Sequence, residues 1–533
     1  MPHDVVNQPP PLVDYNLFST DRALREGIAR EGAGWACEEL HEFGRKSGTA
    51  EALEWGVAAN QNPPVLHTHD RYGHRRDEVE FHPAWHNVMR LAVEHRIHSL
   101  PWSNPGPGAH VARAALAMLA SENESGHVCP ISMTYSVVPV LRRDPELAAE
   151  WEPRLTSNVY DSRLRPASEK TGALMGMAMT EKQGGSDVRA NTTRAEHLEG
   201  RDYRLHGHKW FCSAPMCDAF LVLAQAPGGL SCFFLPRWTP DGEKNAFHLQ
   251  RLKSKLGNRS NASSEVEFDG AWAQRIDDEG RGVATIIEMV HHTRLDCVMG
   301  SAALMRRGLV EAVHHARYRH AFGNALIDQP AMQSVLADLA LESEAATLLL
   351  LRLARAFDES DRPLARLGVA VGKFWVAKRT PVHVAEALEC LGGNGFVEES
   401  AMPRLYREAP LNSIWEGSGN VIALDVLRTL AKEPDALDRI LAEIRTCRDP
   451  RVLRLAASLE TQIRSGASER DARFIAERLA LALQASLLVR FSPPAMSDAF
   501  CATRLEGDWG RSFGTLPATA NVQDIIKALD VLK

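Results

Sequence analysis

The stretch Met179-Thr180-Glu181-Lys182-Gln183-Gly184-Gly185-Ser186-Asp187-Val188 decides how the rest of the chain is read. Two adjacent glycines stand between hydroxyl-bearing residues. The backbone there can approach a ligand closely and offer N–H groups beside the Thr180 and Ser186 hydroxyls, which suits a phosphate or the edge of a flavin ring. Taken alone, the stretch is also an ordinary polar turn. The character of the chain changes across it. Upstream, from about Asp21 to Pro166, Ala-rich amphipathic stretches such as His110 to Ala120 predict a helical unit, with a breaker at Pro101 to Pro107. Downstream, Ala219 to Ala224 and Ser231 to Leu235 are short apolar runs and Ser264 to Phe268 alternates polar with apolar, which predicts a small β domain ending near Ile276.

Helical periodicity resumes at Thr285, and Leu336, Leu339, Ala346, Leu350 and Leu353 mark one buried face of a long helix. Pro434 opens a linker, and the chain from Asp435 to Lys533 reads as a further, mostly helical segment. The expected fold is α+β, mostly α. Its parts are an N-terminal extension over 1–36 that makes oligomer contacts, a helical domain over 37–168, a middle β domain over 169–277, a helical bundle over 278–434 and an extra helical domain over 435–533. The last is expected to be removable without loss of the ligand site.

A chain of 533 residues with 44% hydrophobic content can bury more than one core. Its 61 basic and 68 acidic residues leave a net charge of -7, which excludes a surface committed as a whole to nucleic acid or anionic membrane but allows a local basic patch. Met1 to Tyr15 lacks the basic-then-apolar pattern of a secretory signal, and apolar runs such as Leu348 to Leu351 are short and flanked by charge. Nine scattered cysteines, with Cys212 and Cys217 the closest pair, predict reduced thiols in a cytoplasm rather than disulfides or zinc. His67, His69, Asp70 and His74 match no standard zinc spacing, and no metal is expected.

Further elements bear on the glycine stretch. Lys209 is followed by Trp210-Phe211-Cys212-Ser213, a flat apolar face close to a hydroxyl, or else a strand packing its aromatics into a core. Arg319-His320-Ala321-Phe322-Gly323 places a guanidinium suited to pyrophosphate at a helix end. Leu391-Gly392-Gly393-Asn394-Gly395 and Ile414-Trp415-Glu416-Gly417-Ser418-Gly419-Asn420 are two more glycine-rich turns. In the second, Glu416 sits between a bulky apolar residue and one without a side chain, a setting for a general base, although a glutamate in such a turn is commonly structural.

In this order, these elements resemble the flavin-dependent acyl-CoA dehydrogenase family over about Asp21 to Arg428. Lys255-Leu256-Gly257, Glu279-Gly280-Arg281-Gly282 and Arg404-Leu405-Tyr406-Arg407 add to the match. The similarity is closer to the adaptive-response (AidB) branch, through Gly207-His208-Lys209-Trp210-Phe211, Gly257-Asn258-Arg259-Ser260-Asn261, Pro403 to Glu408, Asn412 to Asn420 and both terminal extensions. The resemblance implies FAD and a homo-oligomer, a tetramer. Met179, Thr180, Gly184, Gly185 and Ser186 would meet the flavin edge and pyrophosphate, and Phe211, Cys212 and Ser213 would line the ring. Arg319 would reach the pyrophosphate, and Gly392 with Gly393 would pass beside the adenosine half, in the family from a neighbouring subunit. Ile414, Trp415, Gly417, Ser418 and Asn420 would complete the contacts. Glu416 matches the base that removes the α-proton of an acyl thioester, and Arg294 an arginine lining the active site. Phe211, Glu389 and Pro330 depart from residues common in the wider family.

From Ala436 onward there are 14 basic and 12 acidic residues, and 12 of the basics are arginine, so the bias is one of residue type more than of charge. Arg445, Arg448, Arg451 and Arg454 cluster about an Asp449-Pro450 helix start, and Arg470, Arg473 and Arg478 are expected to form a second stripe. Interleaved acids also allow a solvated or salt-bridged surface. The branch resemblance favours double-stranded DNA, held through its backbone with little sequence preference, since no base-reading module is visible. Two functions follow. One is a DNA-associated flavoprotein of the alkylation response that protects DNA or inactivates alkylating agents, with at most modest acyl-CoA dehydrogenase activity. The other is a metabolic acyl-CoA dehydrogenase whose C-terminal segment serves assembly.

Overall fold

Alternating apolar residues between Met175 and Ile276 build a seven-stranded sheet in the computed structural model, which describes residues 3–529. A separate hairpin, β1 (Val65–His69) and β2 (Arg75–Glu80), precedes it. The sheet strands are β3 (Met175–Ala178), β4 (Arg194–His197), β5 (Asp202–Ser213), β6 (Ala219–Ala226), β7 (Gly229–Pro236), β8 (Phe247–Leu252) and β9 (Ser263–Ile276). Strand β6 pairs with β3 and β4 in parallel and with β7 in antiparallel fashion, while β5 pairs with β4 and β9, and β9 with β7 and β8. The pairings β6–β4–β5–β9–β7–β6 therefore close a ring. Nearly every residue of β6 and β7 is buried, which explains why these strands read as continuous apolar runs.

The long β5–β9 ladder is interrupted twice, and the second interruption lies beside the glycine stretch. Lys209 pairs with Val266 and Cys212 with Ser264, so Trp210 and Phe211 together face a single position on β9. Such a bulge bends its strand and re-aims its side chains. Phe211 is 51% exposed as a result, while Cys212 is fully buried.

The helices that matter for function are α1 (Ala109–Asn123), α2 (Gly282–Tyr318), α3 (Pro330–Asp358), α4 (Arg362–Cys390), α5 (Gly419–Lys432), α6 (Pro434–Ile444), α7 (Pro450–Arg464) and α8 (Ala472–Phe491). Their starts follow ordinary helix chemistry. Proline occupies the first turn of α3, α4, α6 and α7, and the Asp361 and Asp449 side chains cap α4 and α7 by accepting from the Leu364 and Arg451 amides. Among the described residues, no helix is long and apolar enough to cross a membrane.

The chain divides into two compact units. One comprises Glu51–Pro105 and Glu124–Thr293, and includes the hairpin and the sheet. The other comprises the chain through Ala50, Gly106–Asn123 and Arg294 onward. These boundaries differ from the five segments expected from sequence, and the difference is largest at the C-terminus. Helix α8 packs against α3, α4 and α5 within its unit. Its residues from Leu479 to Leu488 are all buried, the mark of an interior helix rather than a surface one. The Arg504 guanidinium, 1% exposed, pairs with Asp338 and Glu342 of α3. Glu443 of α6 accepts from Arg352 of α3 at 2.8 Å. Burial alone would raise the Glu342 carboxyl, but the guanidiniums of Arg379 and Arg504 outweigh it and hold it at about 2. The segment after Glu433 thus contributes a buried helix and buried ion pairs to the helical bundle.

Candidate functional site

In the β-rich unit the glycine stretch is anchored from below by one buried ion pair. Glu181 and Lys209 have fully buried side chains with Nζ–Oε1 at 2.8 Å, and Lys209 also donates to the Leu223 carbonyl. Glu181 further accepts from the Thr192 and Thr193 amides, the Thr192 hydroxyl and the Gln183 amide. Burial pushes the Glu181 carboxyl up, yet Lys209 and these donors overcome it and hold it well below the usual carboxylate range. Lys209 itself is brought down by burial to about 8. This pair fixes both ends of the loop and leaves its tip exposed from Lys182 to Asp187. Gly184 has φ +134°, and a Cβ on Gly185 would lie 2.3 Å from the Thr180 hydroxyl, so both glycines are required by geometry.

Beside the loop, the bulge presents Phe211. Its ring is steadied by Lys253, whose Nζ lies 4.5 Å from the Phe211 centroid and 3.7 Å from that of Trp210, with Glu265 at 2.7 Å as counter-ion. Ser213, Met179 and Thr180 are half-buried. Cys212 is buried on the opposite face of the strand, and burial pushes its thiol up to about 12, so the thiol is turned away from a ligand here. An exposed aromatic face, a neighbouring hydroxyl and an exposed Gly-Gly-Ser loop fit a flavin ring with its diphosphate.

The helical unit contains the second set. Glu416 adopts φ +57° between Trp415 and Gly417, a conformation uncommon for a residue with a side chain. Three successive carbonyls of this turn are gripped by cations. Lys373 of α4, 1% exposed, donates to the Trp415 and Gly417 carbonyls, and Arg294 of α2 donates to the Glu416 carbonyl at 3.2 Å. Arg294 also donates to Asp425 of α5 at 2.7 Å, and Arg366 clamps the same carboxylate with two bonds at 2.8 and 3.0 Å. Burial raises the Asp425 carboxyl, but Arg366 and Arg294 outweigh this and keep it below its ordinary value. Arg294 therefore orients the turn through its backbone. Lys373, Arg366 and Asp425, which no local motif marks in the sequence, complete the support. Ile414 is 61% exposed, Ser418 precedes α5 and is exposed, and Asn420 accepts from Arg473 at 2.7 Å.

Arg319 and the Gly392-Gly393 turn are linked in the same unit by the N-terminal segment. Arg319 donates to the Asn7 carbonyl, the Asn7 side chain bonds the His320 backbone in both directions, and Asn394 donates to Gln8. Gly392 has φ +58°, and neither glycine would meet a neighbour through a Cβ, which leaves this turn open.

The C-terminal arginines divide. Arg445 is paired with Glu460, Arg451 with Asp449 and Asp498, and Arg454 with Glu506. Arg478 is half-buried against the Arg504 carbonyl, and Arg473 reaches Asn420 rather than continuing a stripe. Arg448 and Arg470 are exposed.

Residues 7–162 match the model of the adaptive response protein AidB N-terminal domain, residues 176–271 the acyl-CoA dehydrogenase middle domain and residues 280–431 the acyl-CoA dehydrogenase C-terminal domain. The chain belongs to the acyl-CoA dehydrogenase family and is an FAD-dependent oxidoreductase of that type. Within the family it falls in the AidB branch: AidB of Escherichia coli (strain K12) is 49% identical over 513 residues, 95% of this chain and 94% of that protein. Acyl-CoA dehydrogenase family member 11 of Caenorhabditis elegans is 32% identical over 78% of this chain and 70% of its own length. The crystal structure of Caenorhabditis elegans ACDH-11 in complex with C11-CoA matches with a TM-score of 0.84 at 27% identity, covering 99% of this chain and 97% of that one.

Proposed function

We propose that this chain is a DNA-binding flavoprotein of the adaptive response to alkylation, protecting DNA or inactivating alkylating agents, with at most modest acyl-CoA dehydrogenase activity. The observation that carries the catalytic part is the turn at Glu416. A carboxylate held at positive φ by three cation-bound carbonyls is positioned by its scaffold, as a general base must be. Bound FAD supplies the hydride acceptor. The Glu416 carboxylate takes the α-proton of an acyl thioester, while Lys373 and Arg294 keep the turn from relaxing. Met179, Thr180, Gly184, Gly185, Ser186, Phe211, Cys212 and Ser213 would hold the flavin, and Arg319, Gly392, Gly393, Ile414, Trp415, Gly417, Ser418 and Asn420 would supply further FAD contacts.

Lys373 is a positioning residue with a measurable signature. Lys373→Met strands two carbonyls, at a cost of about 1–3 kcal/mol each, and lowers kcat for acyl-CoA oxidation by at least about tenfold with little change in KM. Steady-state kinetics on the FAD-loaded variant check this. A fall in thermal stability with kcat unchanged makes Lys373 purely structural.

The adaptive-response match of residues 7–162 and the exposed Arg448 and Arg470 support the DNA reading. Because Arg445, Arg451 and Arg454 already have acidic partners, few charges are available and the contact is to the backbone. Replacing Arg448 and Arg470 together by Ala weakens binding to all duplex sequences alike and flattens the log-log salt dependence by about 0.9 for each phosphate no longer neutralised. Fluorescence anisotropy across a salt series measures both. The metabolic alternative is favoured by the C11-CoA bound to the Caenorhabditis elegans relative; parent protein without duplex affinity at low salt selects it. Exposed Val5, Val6, Phe322 and Phe396 support a homo-oligomer, a tetramer, and scattered, mostly buried cysteines fit a reducing cytoplasm.

A further inference from the structure

The Arg319 and Gly392-Gly393 turns, which the proposed function gives to the pyrophosphate and adenosine half of FAD, have little of their own to hold them in place. Arg319 lies between α2 and a hairpin of two short strands, β10 (His320–Ala321) and β11 (Asn324–Ala325), whose tip carries Phe322 at 97% exposure and φ +54°. A hairpin this short is not stable by itself in water. Gly392 and Gly393, just after α4, are exposed, and nothing lies within 4 Å of where a Cβ would stand on either.

Both turns are gripped by adjacent residues of the N-terminal segment, which belongs to the same unit. The Asn7 carboxamide donates to the His320 carbonyl at 2.9 Å and accepts from the His320 amide at 2.7 Å, the pair of bonds that a neighbouring strand would make. The Asn7 carbonyl accepts from Arg319 at 2.6 Å, and the Gln8 side chain accepts from Asn394 at 2.9 Å. Asn7 does this from φ +59°, a left-handed conformation in which asparagine is enriched and alanine is strained. The segment is itself moored. Pro9, Pro10 and Pro11 keep it extended, the Pro10 carbonyl accepts from His314 of α2 at 2.8 Å, and Arg307 of α2 donates to the Tyr15 hydroxyl at 2.5 Å. Its hold on Arg319 is through a carbonyl and not a carboxylate, so this contact aims the guanidinium without neutralising it and leaves its charge for an anion.

We infer that Asn7 and Gln8 form a clamp that preorganises the Arg319 and Gly392-Gly393 turns for the pyrophosphate and adenosine half of FAD, with Asn7 as the positioning residue. The inference rests on the reading that these turns meet FAD. Two loops ordered before the cofactor arrives spare binding the entropy of ordering them, so the clamp acts on FAD affinity. Asn7 bears on that affinity through the Arg319 guanidinium it aims and the His320 backbone beside it.

The test is equilibrium dialysis of FAD-loaded full-length protein against decreasing FAD, for the parent, Asn7→Ala, Arg319→Ala and the double variant, with bound flavin read from its absorbance. Asn7 is exposed, so its replacement leaves the buried cores intact, and an unchanged circular dichroism spectrum checks this. Asn7→Ala is expected to weaken FAD at least about fivefold, the worth of roughly one net hydrogen bond, and Arg319→Ala at least as much. The double variant is expected to bind no more than about twofold more weakly than Arg319→Ala, because Asn7 works through Arg319. A loss below about fivefold in Asn7→Ala, with Arg319→Ala weakened, overturns the clamp and leaves the FAD reading standing. Affinity kept in Arg319→Ala removes that reading and the clamp with it. Losses that multiply in the double variant make Asn7 a residue of the fold alone and overturn its positioning role.

Discussion

Glu416→Gln lowers the rate at which an acyl-CoA reduces the bound flavin by about 10³-fold while FAD remains bound. The substitution removes the proton acceptor and little else. Glutamine keeps the length of the side chain, and the turn itself is held through the Trp415, Glu416 and Gly417 carbonyls by Lys373 and Arg294, in hydrogen bonds that do not involve the carboxylate. A loss of rate with unchanged flavin content and unchanged KM is therefore the signature of a missing base, whereas a loss of FAD would show that the carboxylate maintains the fold of the turn. Stopped-flow reduction under anaerobic conditions reads the rate, and the flavin spectrum reads occupancy. Duplex affinity is expected to stay where it was.

Deletion of the chain after Glu433 unfolds the helical bundle instead of removing one function from it. Helix α8 supplies a buried face to α3, α4 and α5, and its loss exposes the apolar surface that covers them. It also strips Asp338 and Glu342 of Arg504, and Arg352 of Glu443. Breaking one buried pair costs about 3–5 kcal/mol, and the deletion breaks several in a protein whose net stability is of the order of 5–15 kcal/mol. The truncated chain is expected to lack cooperative unfolding and to hold no FAD, as seen by circular dichroism and the flavin spectrum. A truncated chain that unfolds cooperatively and stays yellow would show that the segment after Glu433 is an appendage after all. The proposed DNA binding consequently has to be probed with side-chain variants such as those at Arg448 and Arg470.

Local residue types carried much of the fold and part of the site. Strand runs such as Ala219–Ala226 and Gly229–Pro236 are legible because residues buried on every side must be apolar. The glycine stretch is legible because Gly184 and Gly185 occupy positions a side chain cannot. Lys373 is not legible, since it lies on a helix 42 residues before the carbonyl it holds, and a lone lysine in a helix reads as surface. Asp425 escapes notice for the same reason: two of its guanidinium partners, Arg294 and Arg366, come from different helices. The bulge at Trp210 and Phe211 depends on the β9 register, so sequence could not separate the outward Phe211 from the buried Cys212. For the arginines of the C-terminal segment, composition shows their number and not the acidic partners that Arg445, Arg451 and Arg454 take.

In the proposed function, acyl thioester oxidation rests on the Glu416 carboxylate moving one proton. The most direct measurement follows deuterium uptake at the α-carbon of a saturated acyl-CoA incubated in D₂O with FAD-loaded protein. Uptake catalysed by the parent protein and lost in E416Q, at equal FAD content, is the predicted result; uptake at the same rate in both, or none in the parent protein, contradicts it.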